Sequence, residues 1–481
     1  MMNSTELGYY TSVRRFFEEP FLATVPSSGE SIGQLSQEDV NVLLTAGLIE
    51  RANPSHLTNS PMLHVFSVPE VTKRRRRLIC HTVDINKASL ADDLPHCNFD
   101  GLDSLLDSLL DDSKGEWHAW TVDIASYYHQ FPLDASARKF FRFKVPEIGV
   151  FQLCTIPTGQ RHCVARAQAF SQFLTRLTLN QANLPLVRCV DVYIDNFLFA
   201  FHSKEAASST REVFTTICNT LGVTLNEFAG PQHLVGLEHR GVVFQTSGTA
   251  TTAKISSKTQ QKLMDALRHI NRLPTLADAL SIFGVCQYAS RIHRLPLFPF
   301  YHIYKFIRRR SRLIATSVLS LKEEARIWPS IVGLWERWIL EILHTVRTPL
   351  LTSCPYHIVS DASNSGWGAV IFPPGGAPFA VAGSWTPVTS TLHINAKELL
   401  ALTLAATHVP RGEKLKLLLD NTSAIAAISN SRSRSFTLNS LLRNFLPYYE
   451  IASVDYVPSA NNIADGLSRG HFGTWKIFSN N

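Results

Sequence analysis

The run Val190-Asp191-Val192-Tyr193-Ile194-Asp195-Asn196-Phe197-Leu198-Phe199-Ala200-Phe201 constrains the fold more than any other stretch. Two apolar, β-rich segments flank an Asp-Asn pair, the pattern of a tight hairpin. Asn and Asp tolerate turn backbones and hydrogen-bond to them, so Asp195 and Asn196 are expected at the tip with their side chains clear of the sheet. A carboxylate there is free to bind a metal. The same pair also closes ordinary surface hairpins, so a second carboxylate must decide.

At 481 residues the chain exceeds what one core supports, and two or three domains are expected. With 45% hydrophobic and 18% charged residues it is globular rather than disordered. A net charge of +7 suits a polyanionic partner, although a solvated basic surface gives the same sum. Eight cysteines without a Cys-x-x-Cys pair read as reduced thiols of a cytosolic or nuclear protein. Cys80-His81 and His96-Cys97 are a weak zinc candidate, because their spacing matches no familiar finger. With no signal-peptide core and no run of 18 apolar residues, the chain is expected to be soluble, unsecreted and free of membrane spans.

The second carboxylate is Asp123, closing the apolar segment Trp120-Thr121-Val122-Asp123 and followed five residues later by Tyr128. Asp123 with the later Tyr193-Ile194-Asp195 resembles motifs A and C of a reverse transcriptase palm. The resemblance implies that Asp123 and Asp195 carry two Mg²⁺ ions, about 3.5 to 4 Å apart, that align a primer hydroxyl with the α-phosphate of a deoxynucleoside triphosphate. Tyr128 then matches the aromatic under the sugar that excludes a 2′ hydroxyl. Phe151-Gln152-Leu153 leading to Pro157-Thr158-Gly159 resembles motif B, where glycine lets backbone approach the nucleotide. The following helix is expected from about Ala165 to Leu177, after a rather long link.

Ser36-Gln37-Glu38-Asp39 reads as a helix N-cap, with Val40, Leu43 and Leu44 as its stripe and Gly47 as its stop. The basic block Lys73 to Arg77 lies between two strand-like runs. It resembles the fingers strand in which an Arg meets the incoming triphosphate, and Arg77 is the choice there with Arg76 as its rival. Leu234-Val235-Gly236-Leu237 resembles a primer-grip hairpin. The Lys that many polymerases place here is absent, since none occurs between Lys204 and Lys254, which leaves His233, an Arg or water for proton donation. Helices are expected over 258–271, 276–292 and 321–346, with the cluster Arg308-Arg309-Arg310 and Arg312 between the last two as a phosphate-binding patch or a solvated turn.

Downstream, Asp361 precedes Gly366-Trp367-Gly368, Glu398 falls in a helical run, Asp420 ends an apolar strand, and Asp465 opens the last helix. This Asp-Glu-Asp-Asp series resembles ribonuclease H, which implies a second two-Mg²⁺ centre, with Mn²⁺ as a substitute ion. The His that many members carry before the last Asp is replaced by Ser459 to Asn462. Together the resemblances imply a mixed α+β and α/β multidomain chain: a right-hand polymerase of fingers, palm and thumb followed by a ribonuclease H-like domain. Fingers and palm are expected over 1–253, a helical thumb and connection over 254–347, and ribonuclease H over 348–481. The implied partners are an RNA template, a DNA primer, an RNA–DNA hybrid and deoxynucleoside triphosphates. Ala464-Asp465-Gly466-Leu467-Ser468-Arg469 resembles both hepadnaviral polymerases and tyrosine-recombinase retrotransposons, and His393-Ile394-Asn395 ahead of Glu398 favours the second, DIRS-like or VIPER-like group.

Asn196 departs from the pattern, because most reverse transcriptases carry Asp there. Asn keeps the shape and one acceptor but removes a charge beside the metals. Asp191, of the same strand parity as Asp195, is a candidate to supply that charge. Two functions remain open on the sequence: an active polymerase with ribonuclease H, or a decayed or domesticated copy that binds RNA–DNA hybrids without polymerising.

Overall fold

A computed structural model describes residues 35–53, 62–70, 75–88, 99, 101–111, 115–182, 188–247, 250–270, 275–349 and 354–475. The N-terminal lead, Lys73, Arg74, His96 and Cys97 lie outside the described residues, as do the side chain of Arg76 and positions 350–353 of the expected linker. The chain divides into two compact units, Met1–Gln245 and Thr246–Asn481.

The first unit is built on a four-stranded sheet ordered Arg188–Tyr193, Asn196–Phe201, His118–Asp123, Ala229–His233. Strand Asn196–Phe201 sits between two neighbours, and every residue after Asn196 is buried. An unbroken apolar run is what a strand covered on both faces requires. Trp120 stacks on Phe199 at 4.4 Å between ring centroids, and both pack with Phe214 of helix Lys204–Thr220. Helix Arg161–Gln181 adds Ala167 and Leu174 to the same core. A second core gathers around the strands Ile49–Arg51, Gly149–Leu153 and Arg142–Val145, which pair in the order 49–51, 149–153, 142–145. The hairpin His64–Glu70 with Arg75–His81 joins it through Val65 and Leu78.

In the second unit, helices Ser257–His269, Leu276–His293, Tyr301–Ala315 and Pro329–His344 precede a five-stranded sheet. Its order is 379–384, 366–372, 356–362, 414–419, 450–456. The first three strands pair antiparallel, and 356–362, 414–419 and 450–456 run parallel. Helix Ile394–Ala406 buries Leu399, Leu402 and Ala405 against Ile358 and Leu417.

Several expectations need correction. The helix after Gly159 starts at Arg161, not near Ala165, because the Gln160 side chain caps it by accepting from the backbone N–H groups of His162 (2.9 Å) and Cys163 (3.2 Å). Gln is an uncommon N-cap, and the buried His162 interrupts the apolar stripe that a sequence reading follows. The helix expected over 321–346 runs only from Pro329 to His344, 316–328 is non-helical, and an additional helix, Tyr301–Ala315, comes before it. The Arg308–Arg312 cluster therefore lies on a helix, not in a turn. By contrast, the capping box of helix Gln37–Thr45 forms as expected, with Asp39 N–H donating to Ser36 Oγ at 3.0 Å and Ser36 N–H donating to Asp39 Oδ2 at 3.1 Å.

Phe199→Ala removes a fully buried ring from between Trp120 and Phe214. It is expected to destabilise the first unit by about 3–5 kcal/mol. Denaturant unfolding followed by Trp fluorescence checks this, and a loss below about 1 kcal/mol contradicts the packing described.

Candidate active sites

The first site forms where two strands end side by side. Strands 118–123 and 196–201 pair antiparallel with Asp123 opposite Asn196. One residue further, Ile124 N–H donates to Asp195 C=O at 2.9 Å. Asp123 and Asp195, 72 positions apart in sequence, are thus neighbours at one end of the sheet. Asp123 is exposed and Asp195 half-buried.

The hairpin turn differs by one position from the expected Asp195-Asn196 tip. Tyr193 pairs with Asn196, so Ile194 and Asp195 are the central residues. Ile194 takes left-handed backbone, with φ of 58°. For a β-branched residue that is a strained conformation. Helix Arg161–Gln181 holds it there. Gln168, 4% exposed, accepts from Ile194 N–H at 2.7 Å and donates to Val192 C=O at 3.1 Å. Ser171 Oγ donates to Ile194 C=O, and the Tyr127 hydroxyl, 2.6 Å from that Oγ, also donates to Ala167 C=O. Neither Gln168 nor Ser171 carried a sequence signal, because a buried polar residue within a helix has no local pattern to mark it.

Asn196 Oδ1 is buried and has no hydrogen-bond donor. Asp191 is engaged elsewhere. Its Oδ2 lies 2.7 Å from His239 Nε2 and 3.3 Å from an Arg240 guanidinium nitrogen. Burial pushes the Asp191 carboxyl up, but His239 and Arg240 outweigh it and hold the group below its ordinary value. That carboxylate is already neutralised by its partners, so it does not replace the charge missing at Asn196.

Tyr128 is half-buried beside the site. Burial pushes its hydroxyl up to about 12, with Cys163 and Asp195 adding to the rise and Arg77 opposing it. Arg77 and Asp195 therefore both act on the same ring. Arg77 is exposed on strand Arg75–His81. Gly159 has φ of 95°, and a Cβ there would meet Thr82 Oγ1 at 3.2 Å. Its carbonyl accepts from Asn86 Nδ2 at 2.8 Å, which ties the turn to the segment after the Arg77 strand. Cys80 is buried, and burial pushes its thiol up to about 12.

The second site lies in the second unit. Asp361 ends on strand Tyr356–Ala362, Glu398 projects from helix Ile394–Ala406, and Asp420 follows strand Lys414–Leu419. One carboxylate oxygen from each comes within 4.8 Å of the others. Asp361 is 3% and Glu398 5% exposed, and Asp361 Oδ2 and Glu398 Oε2 are buried without hydrogen-bond partners. Burial, then Asp361 and Asp420, push Glu398 up to about 9. Burial likewise raises Asp361, reinforced by Asp420 and Asp465. Three crowded carboxylates with orphaned oxygens suit a divalent cation, which would relieve both the repulsion and the missing partners.

Asp465 sits at the start of the short helix Asp465–Ser468, and its carboxylate is held by Arg469 at 2.8 Å rather than joining the other three. Gly368 brings that helix close, because a Cβ there would run into Leu467. The loop lacking His has its own contacts. Ser459 Oγ donates to Asp420 Oδ2 at 2.8 Å, and buried Asn462 donates from Nδ2 to Asp361 Oδ1 at 3.3 Å. Asn421 Nδ2 donates to Asn395 Oδ1 at 3.1 Å, tying the Asp420 strand end to the helix that carries Glu398.

Residues 68–227 match the family described as reverse transcriptase (RNA-dependent DNA polymerase), so the chain contains a reverse transcriptase domain. No curated protein matches the sequence. Among solved structures, the foamy viral protease-reverse transcriptase dRH in complex with double-stranded DNA aligns at TM-score 0.50 and 15% identity, over 95% of this chain and 79% of that one. The foamy viral protease-reverse transcriptase in complex with an RNA/DNA hybrid aligns at TM-score 0.50 and 15% identity, over 96% of this chain and 62% of that chain. The present chain thus spans under two thirds of the second. The shared feature at this identity is the fold: a mixed helix and sheet multidomain reverse transcriptase architecture.

Two measurements test these geometries. Gln168→Ala leaves Ile194 N–H without its acceptor and should destabilise the first unit by about 1–3 kcal/mol; unchanged unfolding would show that the turn holds itself. Glu398 has an ordinary value of 4.5 and stands near 9 when folded. Between these values the folded chain binds the extra proton, so its contribution to stability falls as pH rises from 4.5 toward 9. Without divalent cations, thermal unfolding of the second unit should occur at lower temperature at pH 8 than at pH 6, and Glu398→Gln should shrink the difference. Equal sensitivity in both proteins contradicts the assignment.

Proposed function

We propose that this chain is an RNA-directed DNA polymerase with ribonuclease H activity on RNA–DNA hybrids. The observation that carries the reading is the meeting of Asp123 and Asp195 at one sheet end inside a reverse transcriptase domain. The separate cluster of Asp361, Glu398 and Asp420 supports the hydrolytic half.

Asp123 and Asp195 would hold Mg²⁺ or Mn²⁺ at the first centre, with Asn196 beside the bound nucleotide, and Asp361, Glu398, Asp420 and Asp465 would hold them at the second, two ions to each. Such ions supply charge neutralisation at phosphate oxygens and lower the pKa of a bound hydroxyl or water. Arg77 pairs with the triphosphate of the deoxynucleotide through its planar donors. Tyr128 presents its ring under the sugar and excludes a 2′ hydroxyl. Gly159 keeps the backbone low enough for the nucleotide to lie against it. At the second centre, Ser459 and Asn462 orient Asp420 and Asp361, and joining the cluster requires Asp465 to leave Arg469. An RNA template, a DNA primer and their hybrid are the proposed partners, in a cytoplasmic or nuclear setting. The His393-Ile394-Asn395 run favours a DIRS-like or VIPER-like element.

Asn196, with no Lys between 204 and 254, favours a second reading: a copy that binds hybrids without synthesis. Primer extension and hybrid cleavage separate the two. Under the main reading, Asp195→Ala abolishes extension and spares cleavage, while Asp361→Ala does the reverse. Asn196→Asp should retain synthesis and lower the Mg²⁺ requirement, because a carboxylate replaces an orphaned carbonyl. Tight hybrid binding with no extension under Mg²⁺ or Mn²⁺ establishes the second reading instead.

A further inference from the structure

Helix Tyr301–Ala315 in the second unit contains no Asp or Glu. Its inner face buries Ile303, Phe306 and Ile307. Lys305, Arg308, Arg309 and Arg312 are exposed. Positions 305, 308 and 312 fall at i, i+3 and i+7, one line along the helix. Like charges at this spacing repel, so the line does not stabilise the fold that displays it. The neighbouring arginines have structural contacts. The Arg309 guanidinium lies over the Trp328 ring at 5.6 Å, and Arg310 lies over Phe306 and donates to Arg326 C=O at 3.3 Å. Among the described residues, Lys305, Arg308 and Arg312 form no ion pair.

The helix is fastened to the sheet domain that holds Asp361, Glu398 and Asp420. Leu297 N–H donates to Ser431 C=O at 3.2 Å, Phe298 enters the core of that domain, and the Arg432 guanidinium lies over the Tyr304 ring at 4.3 Å. At the N-terminal end of the basic line, Tyr301 and His302 pack on Phe436, with centroids 5.9 and 6.3 Å away. Phe436 is 62% exposed and opens helix Phe436–Arg443. Exposed Arg434 lies two residues before it. Packed by Tyr301 and His302, the Phe436 ring still leaves most of its surface open at the end of an unneutralised cationic line.

We propose that the outer face of helix Tyr301–Ala315, ending at Phe436, docks the sugar–phosphate backbone of an RNA–DNA duplex. The inference rests on the hybrid-cleaving reading of the Asp361 cluster. With a rise of 1.5 Å per residue, Lys305 to Arg312 spans about 10 Å. A duplex strand carries a phosphate roughly every 3.4 Å along its axis, so the three cations face about three successive phosphates. Surfaces for single strands combine a basic groove with several stacking aromatics. Here the rings of Tyr301, His302 and Phe436 gather at one end only, beside a straight line of cations, which favours a duplex.

The test uses the full chain carrying Asp361→Asn, so that the probe stays intact, with and without Lys305→Gln, Arg308→Gln and Arg312→Gln together. Fluorescence anisotropy follows binding of a labelled RNA–DNA hybrid of about 20 base pairs across a salt series, where each phosphate contact contributes about 0.9 to the log–log slope. The triple variant should lower that slope by about 2 to 3, with thermal unfolding unchanged. In the chain with native Asp361, it should weaken hybrid cleavage through KM rather than kcat. An unchanged slope overturns the docking surface, and an equal loss on single-stranded RNA overturns the duplex as its occupant. Because binding is read without cleavage, a wild-type chain that cuts no hybrid refutes the ribonuclease H reading separately from the surface.

Discussion

The pairing of strand His118–Asp123 with strand Asn196–Phe201 is the constraint on which the first unit depends. Register in a sheet is all-or-none, since a slip of one residue sends every side chain to the opposite face. Here the register is pinned by Trp120 against Phe199 and by Phe197, Phe199 and Phe201 filling one core. The position of Asp123 beside Asp195 is then a consequence of burying aromatic rings. Repulsion between the two carboxylates opposes it only weakly, because Asp123 is exposed and water screens it.

The second cluster is bound by a different balance. Asp361 and Glu398 are almost fully buried, and their orphaned oxygens sit where water cannot relieve them. The sheet and helix impose that crowding through Leu399, Leu402, Ile358 and Leu417, whose burial outweighs the electrostatic penalty. Protonation of Glu398 is one way to relieve it, and a divalent cation is the other. The two centres should therefore respond differently to metal removal. On the proposed reading, the Asp123–Asp195 pair would lose only its function, whereas the buried cluster would also take up protons.

Much of this was legible in the sequence wherever a residue's neighbours along the chain determine its environment. The capping box at Ser36 and Asp39, the buried strand 196–201, and the acids at strand ends and helix starts all announce themselves locally. The turn did not. Asp195-Asn196 has the better turn propensity, yet Gln168 and Ser171, reaching from a helix more than 20 positions away, place the bend at Ile194 instead. The helix under the Arg308–Arg312 run was not legible either, because its apolar partners Ile303, Phe306 and Ile307 are read separately from the dense charge block. Asp465 was placed correctly on its helix, but its pairing with Arg469, one turn later, competes with the cluster in a way that spacing alone does not decide.

Asn196 becomes intelligible once the turn is shifted. Placed on the strand opposite Asp123, its Oδ1 is buried without a donor. A carboxylate in the same place would be buried, unpartnered and charged, which is far more unfavourable than a neutral carbonyl. Asp191, the nearby acid of matching parity, cannot share the load because His239 and Arg240 already hold it. The amide is thus the side chain that the metal-free fold tolerates best. On the proposed reading, its weakness would appear only with cations bound at Asp123 and Asp195, where an amide stands in place of the charge that most reverse transcriptases carry.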